Sequence, residues 1–225
     1  MSGTIALVGG NEWNSRCSFD ADLLSASGGD EVVVLPTAAA YEHPDRAVER
    51  ATRWFAGFGG RVRALPVLAR PDAMDPANAE AVAAARFVYL SGGSPLHLRS
   101  VLKETPVWEA VAAVWAAGGV VAGSAAGAMV MADPMVDPRG GAFTVGLGLL
   151  ENVSVLPNAG EDWDVTHRRT LDLLDEGVTL VAIPEETALI RAADGTWAEA
   201  GAGSVTVWRG GGAVGLDALP GRSSS

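Results

Sequence analysis

The segment 123–129 contains the residues whose types and spacing point most directly to chemistry. It reads GSAAGAM and follows the apolar run 120–122. A strand that turns sharply into a helix through small residues is the setting of a nucleophile elbow, G-x-S-x-G, in which a strained turn lifts a nucleophile to the helix N-terminus. When the pattern is aligned on Gly123 and Gly127, the central residue is Ala125, which has no hydroxyl. Ser124 lies one position earlier.

An elbow needs a strand before it and a helix after it, and the first 140 residues predict an alternation of such elements. Short β-branched runs alternate with Ala-rich stretches of helical length, three of which begin with proline, a residue that suits the first helical turn. We predict strands over 4–8, 31–35, 61–67, 87–90 and 119–122, and helices over 20–26, 44–58, 76–86 and 106–117. Apolar strands separated by helices indicate an α/β fold, with a mostly parallel, doubly wound sheet covered by helices on both faces.

The pattern changes after about residue 140, where glycines become frequent and short strands follow. We predict strands over 152–156, 179–183, 188–191, 196–198 and 204–207, with one helix over 164–174. Asp194-Gly195 between two apolar runs predicts a hairpin. These strands are expected to form an antiparallel C-terminal extension of the same sheet, in a single domain over 1–220 with a tail over 221–225.

Composition and charge exclude several classes of function. Of 225 residues, 48% are hydrophobic, enough to build a sizeable core, and 16 basic against 27 acidic residues give a net charge of −11. Such an acidic surface repels phosphate backbones and anionic lipids, so nucleic acids and membranes are not expected partners. The single cysteine and the absence of a targeting segment predict a cytoplasmic protein. The chain contains seven tryptophans and two tyrosines, and this tryptophan content is compatible with a homodimer interface.

The sequence contains no pattern that predicts a metal site or a cofactor. It has no Cys/His pair at ligand spacing and no H-E-x-x-H. Gly9-Gly10 lacks the further glycine of a dinucleotide fingerprint, and no Walker lysine is present. We therefore expect chemistry that depends on protein side chains and backbone alone.

Glycine-rich segments follow three of the predicted strands, at the sheet edge where ligands bind in open α/β sheets. Together with two later segments they form an ordered set: GGNE at 9–12, YLSGGS at 89–94, GSAAGA at 123–128, GLGLL at 146–150 and IPEETAL at 183–189. This set resembles the serine peptidase family that contains dipeptidase E and cyanophycinase, which shares its fold with class I glutamine amidotransferases.

The resemblance implies a Ser–His–acid triad that hydrolyses a peptide or other small amide bond without a cofactor. It also implies an oxyanion hole formed by the N–H groups of Gly93 and Ala126. Because Ala125 stands at the nucleophile position, three interpretations remain open: an engineered Ser→Ala change in an active hydrolase, a natural binding or regulatory homologue that keeps the cleft, or attack by Ser124 instead.

The catalytic base must come from His43, His97 or His167, the three histidines of the chain. The family places its histidine in a context resembling L-x-P-H, and the matching position here is Asn158. We predict that His167, which alone lies C-terminal to the elbow, is the base.

The acid and the substrate-binding residues are less determined by the sequence. Asp133 is the predicted acid, and Asp137, Glu185 and Glu12 are further candidates. A guanidinium matches a carboxylate in a bidentate fork, which makes Arg139 a candidate for substrate binding. The predicted substrate-binding residues are Glu12, Ser94, Arg139 and Asn158.

Overall fold

The computed structural model describes residues 2–160 and 165–221, and its first half alternates strands with helices. The strands are β1 (Thr4–Val8), β2 (Glu31–Leu35), β3 (Arg61–Ala64), β4 (Phe87–Leu90) and β5 (Val120–Ser124). The helices are α1 (Phe19–Ser27), α2 (Pro44–Ala56), α3 (Arg70–Met74), α4 (Pro76–Ala83), α5 (Pro95–Leu102), α6 (Pro106–Ala116) and α7 (Ala126–Met131). Proline begins α2, α4, α5 and α6, which confirms its use as a helix start; α3 and α5 lie outside the helix ranges predicted from the sequence.

Short strands dominate the second half. They are β6 (Ala132–Asp133), β7 (Met135–Val136), β8 (Phe143–Thr144), β9 (Leu150–Glu151) and β10 (Val153–Pro157), followed after helix α8 (Val165–Asp172) by β11 (Thr179–Ile183), β12 (Thr187–Arg191), β13 (Trp197–Gly201), β14 (Thr206–Arg209) and β15 (Gly212–Val214). The predicted helix over 164–174 corresponds to α8, although residue 164 lies outside the described residues. Of the predicted tail, only Gly221 is described.

The main sheet has seven strands in the order β13-β12-β1-β5-β4-β2-β3. The five strands from β1 to β3 in this order pair in parallel, whereas β12 and β13 join antiparallel at the edge beside β1. This arrangement confirms the predicted α/β fold with a mostly parallel sheet and an antiparallel C-terminal addition. The predicted hairpin at Asp194-Gly195 connects β12 and β13.

The remaining later strands differ from the prediction of one extended sheet. A second sheet has the order β15-β14-β11-β10-β6-β9, and β7 pairs with β8 alone. Within the second sheet β10 and β11 are parallel. Both β11 and β12 are apolar and largely buried, so their sequences predict strands without identifying which neighbour each one pairs with.

The elbow packs so closely against the sheet that only glycine fits at two of its positions. A Cβ atom on Gly127 would lie 2.4 Å from the carbonyl oxygen of Leu90 in β4, and one on Gly123 would lie 2.5 Å from the carbonyl carbon of Gly127. Strand β5 and helix α7 are therefore in backbone contact, which fixes the direction in which the helix leaves the sheet.

A buried carboxyl group lies on the other side of the sheet, under the loop that follows β1. Asp20 is 0% exposed, and its Oδ2 accepts a hydrogen bond of 2.9 Å from Trp54 Nε1. Desolvation raises the pKa of Asp20 from 3.8 to about 7; the Trp54 bond opposes this shift, and the negative charge of Glu12 adds to it. The ionised form of Asp20 is therefore costly in the folded protein.

We expect Gly127→Ala to destabilise the protein by about 1–3 kcal/mol, because the new methyl group overlaps the backbone of β4. Thermal denaturation measures this as a lower Tm. Gly212→Ala is the control, since a Cβ atom there has no neighbour within 4 Å. Equal Tm values for the two variants would contradict the close contact between α7 and β4.

Replacing Asp20 by Asn should change the pH dependence of stability. The folded pKa lies above the unfolded one, so wild-type stability falls as pH rises through the interval between about 4 and about 7. Asn keeps an acceptor for Trp54 and carries no charge. The variant should therefore gain about 2–4 kcal/mol relative to wild type between about pH 4 and about pH 8.

Urea denaturation at several pH values measures this difference directly. Asp30→Asn is the matched control, because Asp30 is exposed and Arg61 lowers the pKa of its carboxyl. The control should show no gain at high pH. A pH-independent effect of Asp20→Asn would show that burial does not raise the pKa of Asp20.

Candidate active site

Ala125 adopts the backbone conformation of an elbow although it lacks a nucleophile. Its φ of 45° and ψ of −102° are unfavourable for a residue with a Cβ atom. Two hydrogen bonds hold it there: its N–H donates to the Val8 carbonyl at 2.9 Å, and its carbonyl accepts from the Met129 N–H at 3.0 Å. The strained turn is thus fixed by β1 on one side and by the first turn of α7 on the other.

Gly93 and Ala126, the two residues predicted to donate to an oxyanion, line the smaller cleft together with Ala125. Ala126 is the first residue of α7, so its N–H has no acceptor inside the helix. Gly93 has a φ of 137°, and a Cβ atom on it would lie 2.3 Å from the Ala38 carbonyl oxygen. Within the described residues neither N–H donates a hydrogen bond to the protein. Both groups are therefore available to a ligand.

Beneath the elbow, the carboxylate of Glu12 connects three strand ends. It follows β1, is only 5% exposed, and accepts hydrogen bonds from Ser124 Oγ at 2.8 Å and from the Gly92 N–H at 3.2 Å. Arg50 Nη2 lies 3.8 Å from Glu12 Oε1 and supplies the opposite charge. These contacts satisfy a buried carboxylate that would otherwise be costly.

Two clefts meet at Ala125. The larger, of about 840 Å³, and the smaller, of about 300 Å³, share Gly93, Ala125 and Asn158 in their walls. Ionisable side chains line the larger cleft: Glu12, Glu42, His43, Arg46, Glu49, Arg50, Arg53 and Glu185. Because the elbow lies at the junction, a ligand bound across Ala125 contacts both clefts.

Asn158 stands beside the elbow at the end of β10. Its φ is 52°, and its N–H donates to the Gly9 carbonyl at 2.7 Å. A Cβ atom on Gly10 would lie 2.1 Å from Asn158 Oδ1, so the glycine is needed where the asparagine side chain passes. The position that matches the family histidine therefore borders the site and carries a neutral amide.

The structure places the three histidines differently. His167, on α8, lines the smaller cleft together with Ala125, and His43 lines the larger cleft. The Nε2 atom of His97 lies 2.9 Å from the Leu68 carbonyl oxygen, and its ring contacts Tyr41 edge-on; His97 lines neither cleft. The predicted base and the elbow thus share a cleft wall.

Ser124, the alternative nucleophile, lies behind the elbow. It is 0% exposed, donates its hydroxyl hydrogen to Glu12, and lines neither cleft. Among the predicted substrate-binding residues, Glu12 and Asn158 line the larger cleft.

Glu185 lines the larger cleft, whereas the structure brings Asp133, Asp137, Arg139 and Ser94 into neither cleft wall. Asp133 Oδ1 accepts the Gly146 N–H at 2.8 Å, and the Ser94 hydroxyl accepts the His97 N–H at 3.3 Å at the start of α5. Arg139 forms an exposed ion pair with Asp137 at 2.6 Å, and its hydrogen bonds lower the Asp137 pKa to about 2. Local hydrogen bonds therefore account for all four residues.

Sequence reasoning missed the arginines on α2. Arg46, Arg50 and Arg53 stand at i, i+4 and i+7 and line the larger cleft. This spacing places them on one helix face and could have been read from the sequence. Arg50 is further held by Trp13, whose ring centroid lies 5.7 Å from the guanidinium carbon.

Over residues 2–160 and 165–221, no cluster of three or more His, Cys, Asp or Glu side chains is arranged to hold a metal ion. Among the helices that the structure describes, none has the length and apolar character needed to cross a membrane.

Comparison with known proteins agrees with this geometry. Cyanophycinases from Synechococcus elongatus and Thermosynechococcus vestitus are each 26% identical over 219 residues, which cover 91% of this chain and 67% of theirs. The crystal structure of a peptidase from an acI-B1 Actinobacterium is 30% identical, with a TM-score of 0.82 over 95% of this chain and 97% of that one.

A structure assigned to peptidase E from Listeria monocytogenes has 17% identity and a TM-score of 0.69 over 90% of this chain and all of that one, so it supports the fold alone. The family model of peptidase family S51 matches residues 5–196, most of the chain. These matches and the elbow at Ala125 show that this chain belongs to peptidase family S51.

Proposed function

We propose that this chain binds a short peptide or small amide at the junction of the two clefts and, with Ala125 at the elbow, holds it without forming an acyl-enzyme. The observation that carries the proposal is the retained elbow: the strained φ and ψ of Ala125 and the two N–H groups beside it are those of a serine hydrolase site. The hydroxyl that would attack the carbonyl carbon is the missing part.

The parent activity that we propose is serine-dependent hydrolysis of an amide bond. A serine at position 125 would attack the carbonyl carbon while the N–H groups of Gly93 and Ala126 bind the developing oxyanion. Backbone donors held by packing need no rearrangement as this charge forms. Acyl-enzyme formation would release the amine, and water would then release the acid.

We propose His167 as the general base in such a serine form. His167 and Ala125 line the same 300 Å³ cleft, whereas His97 is in neither cleft wall. The carboxamide of Asn158 does not accept a proton at neutral pH, so it cannot take this role. We assign no acid to this base, because Asp133 Oδ1 accepts the Gly146 N–H and Asp133 lines neither cleft.

A natural binding or regulatory role is the second candidate. It is favoured by the pairing of two changes at one junction, Ala125 at the nucleophile position and Asn158 at the position of the family histidine. Loss of the nucleophile alone is enough to prevent acylation. A second change in the same wall fits a site that serves binding.

We expect Ala125→Ser to create amide hydrolysis, because it adds a hydroxyl at the strained position of the elbow, in the same cleft wall as the proposed oxyanion donors Gly93 and Ala126. A panel of short peptides and amides measures turnover, and a serine-directed phosphonate detected by mass spectrometry measures nucleophile reactivity. The unchanged chain and Ala117→Ser, which adds an exposed hydroxyl, are controls that should show neither. A folded Ala125→Ser protein without turnover or labelling would contradict the proposed parent activity.

In the Ala125→Ser background, His167→Ala should lower kcat/KM by about 10²–10⁴-fold, the usual contribution of a general base. His97→Ala in the same background is the matched control and should retain activity. Adding Asn158→His tests the family position: restoration of activity in the His167→Ala protein would identify position 158 as an alternative base site. Full activity without His167 would exclude it as the base.

A further inference from the structure

We infer that the 300 Å³ cleft is a side-chain subsite, and that the ligand is an amide with a compact aliphatic side chain on one flank and a charged group on the other. This inference rests on the proposed function, because it describes the ligand of the same junction. The preference for an aliphatic side chain in this cleft is not specified by the similarity to known peptidases.

The walls of the smaller cleft are mainly apolar, with Asn158 and His167 as the polar side chains among the described residues. Among the described residues they include Pro95 at the start of α5, Met129 in α7, Val136 in β7, Pro138 after β7 and Leu156 in β10. Met129, Val136 and Leu156 are at most 5% exposed, so packing in the core supports this wall. A volume of about 300 Å³ is at the lower end of small-molecule sites and suits one side chain rather than a whole peptide.

The larger cleft has the opposite character. It is lined by Arg46, Arg50 and Arg53 of α2 and by the carboxylates of Glu12, Glu42, Glu49 and Glu185. A charged side chain or a peptide terminus finds partners of either sign there, whereas an aliphatic side chain would displace water from charged groups without replacing their hydrogen bonds.

The junction determines how a ligand is divided between the clefts. Gly93, Ala125 and Asn158 belong to both walls, so an amide placed over Ala125 directs one flank into each cleft. Binding then favours a molecule whose two flanks differ as the clefts do. A ligand with charged groups on both flanks leaves a charge against Met129 and Leu156, and a ligand with two aliphatic flanks places an apolar group against the charged wall of the larger cleft.

Isothermal titration calorimetry on the chain with Ala125 tests the subsite without any turnover. The probes are Lys-Leu, Asp-Leu and the reversed Leu-Lys and Leu-Asp, all with acetylated amino ends and amidated carboxyl ends so that only the Lys or Asp side chain is charged. Each is compared with the peptide in which Asn, of similar size and polar, replaces Leu. We expect the Leu peptides to bind about 10- to 100-fold more tightly in one of the two orders, as burial of an aliphatic side chain predicts. The preferred order identifies which side of the amide faces the small cleft.

Pro95→Trp should fill the small cleft and abolish the preference for Leu over Asn. Pro76→Trp is the matched control, since Pro76 also begins a helix and lines neither cleft; it should keep the preference. Equal binding of Leu and Asn peptides in both orders, or a preference that survives Pro95→Trp, would overturn the subsite. Absence of binding by every dipeptide would instead contradict the proposed peptide-binding function itself.

Discussion

The contact between α7 and β4 is the constraint on which the site depends. With Gly127 against the Leu90 carbonyl and Gly123 against Gly127, the backbone after β5 has one direction open to it. That direction places Ala125 in its strained conformation and Ala126 in the wall of the smaller cleft. The surrounding packing stabilises this strained conformation, and strained backbone conformations usually persist only with such support.

The buried carboxylate of Glu12 explains why polar residues lie beneath this apolar contact. A carboxylate removed from water requires hydrogen bonds and an opposite charge, and Ser124, Gly92 and Arg50 provide them. The same contacts connect the loop after β1 to the end of β4, which is followed by Gly92 and Gly93, and to the end of β5, which is followed by the elbow. Ser124 therefore has a structural explanation that does not involve nucleophilic attack.

Features set by local chemistry were readable from the sequence, and features set by distant partners were not. Prolines marked the starts of α2, α4 and α6, and glycines marked the strand ends that surround the site. The division of the later strands between two sheets depends on which apolar strand pairs with which, and apolar sequences do not specify this. Asp133 and Arg139 were expected near the ligand, but Gly146 and Asp137 hold them in local hydrogen bonds away from either cleft wall.

Because packing rather than the nucleophile fixes the elbow, loss of the hydroxyl need not alter the cleft. The Ala125 backbone makes its bonds to Val8 and Met129 without any side-chain hydroxyl. Asn158 adds an amide with a donor and an acceptor at the same junction, anchored through its own N–H to Gly9. A peptide amide needs one donor and one acceptor, so this asparagine can satisfy a bound ligand where a histidine would serve proton transfer. An alanine at the nucleophile position is therefore compatible with an intact elbow and cleft, as the proposed binding role requires.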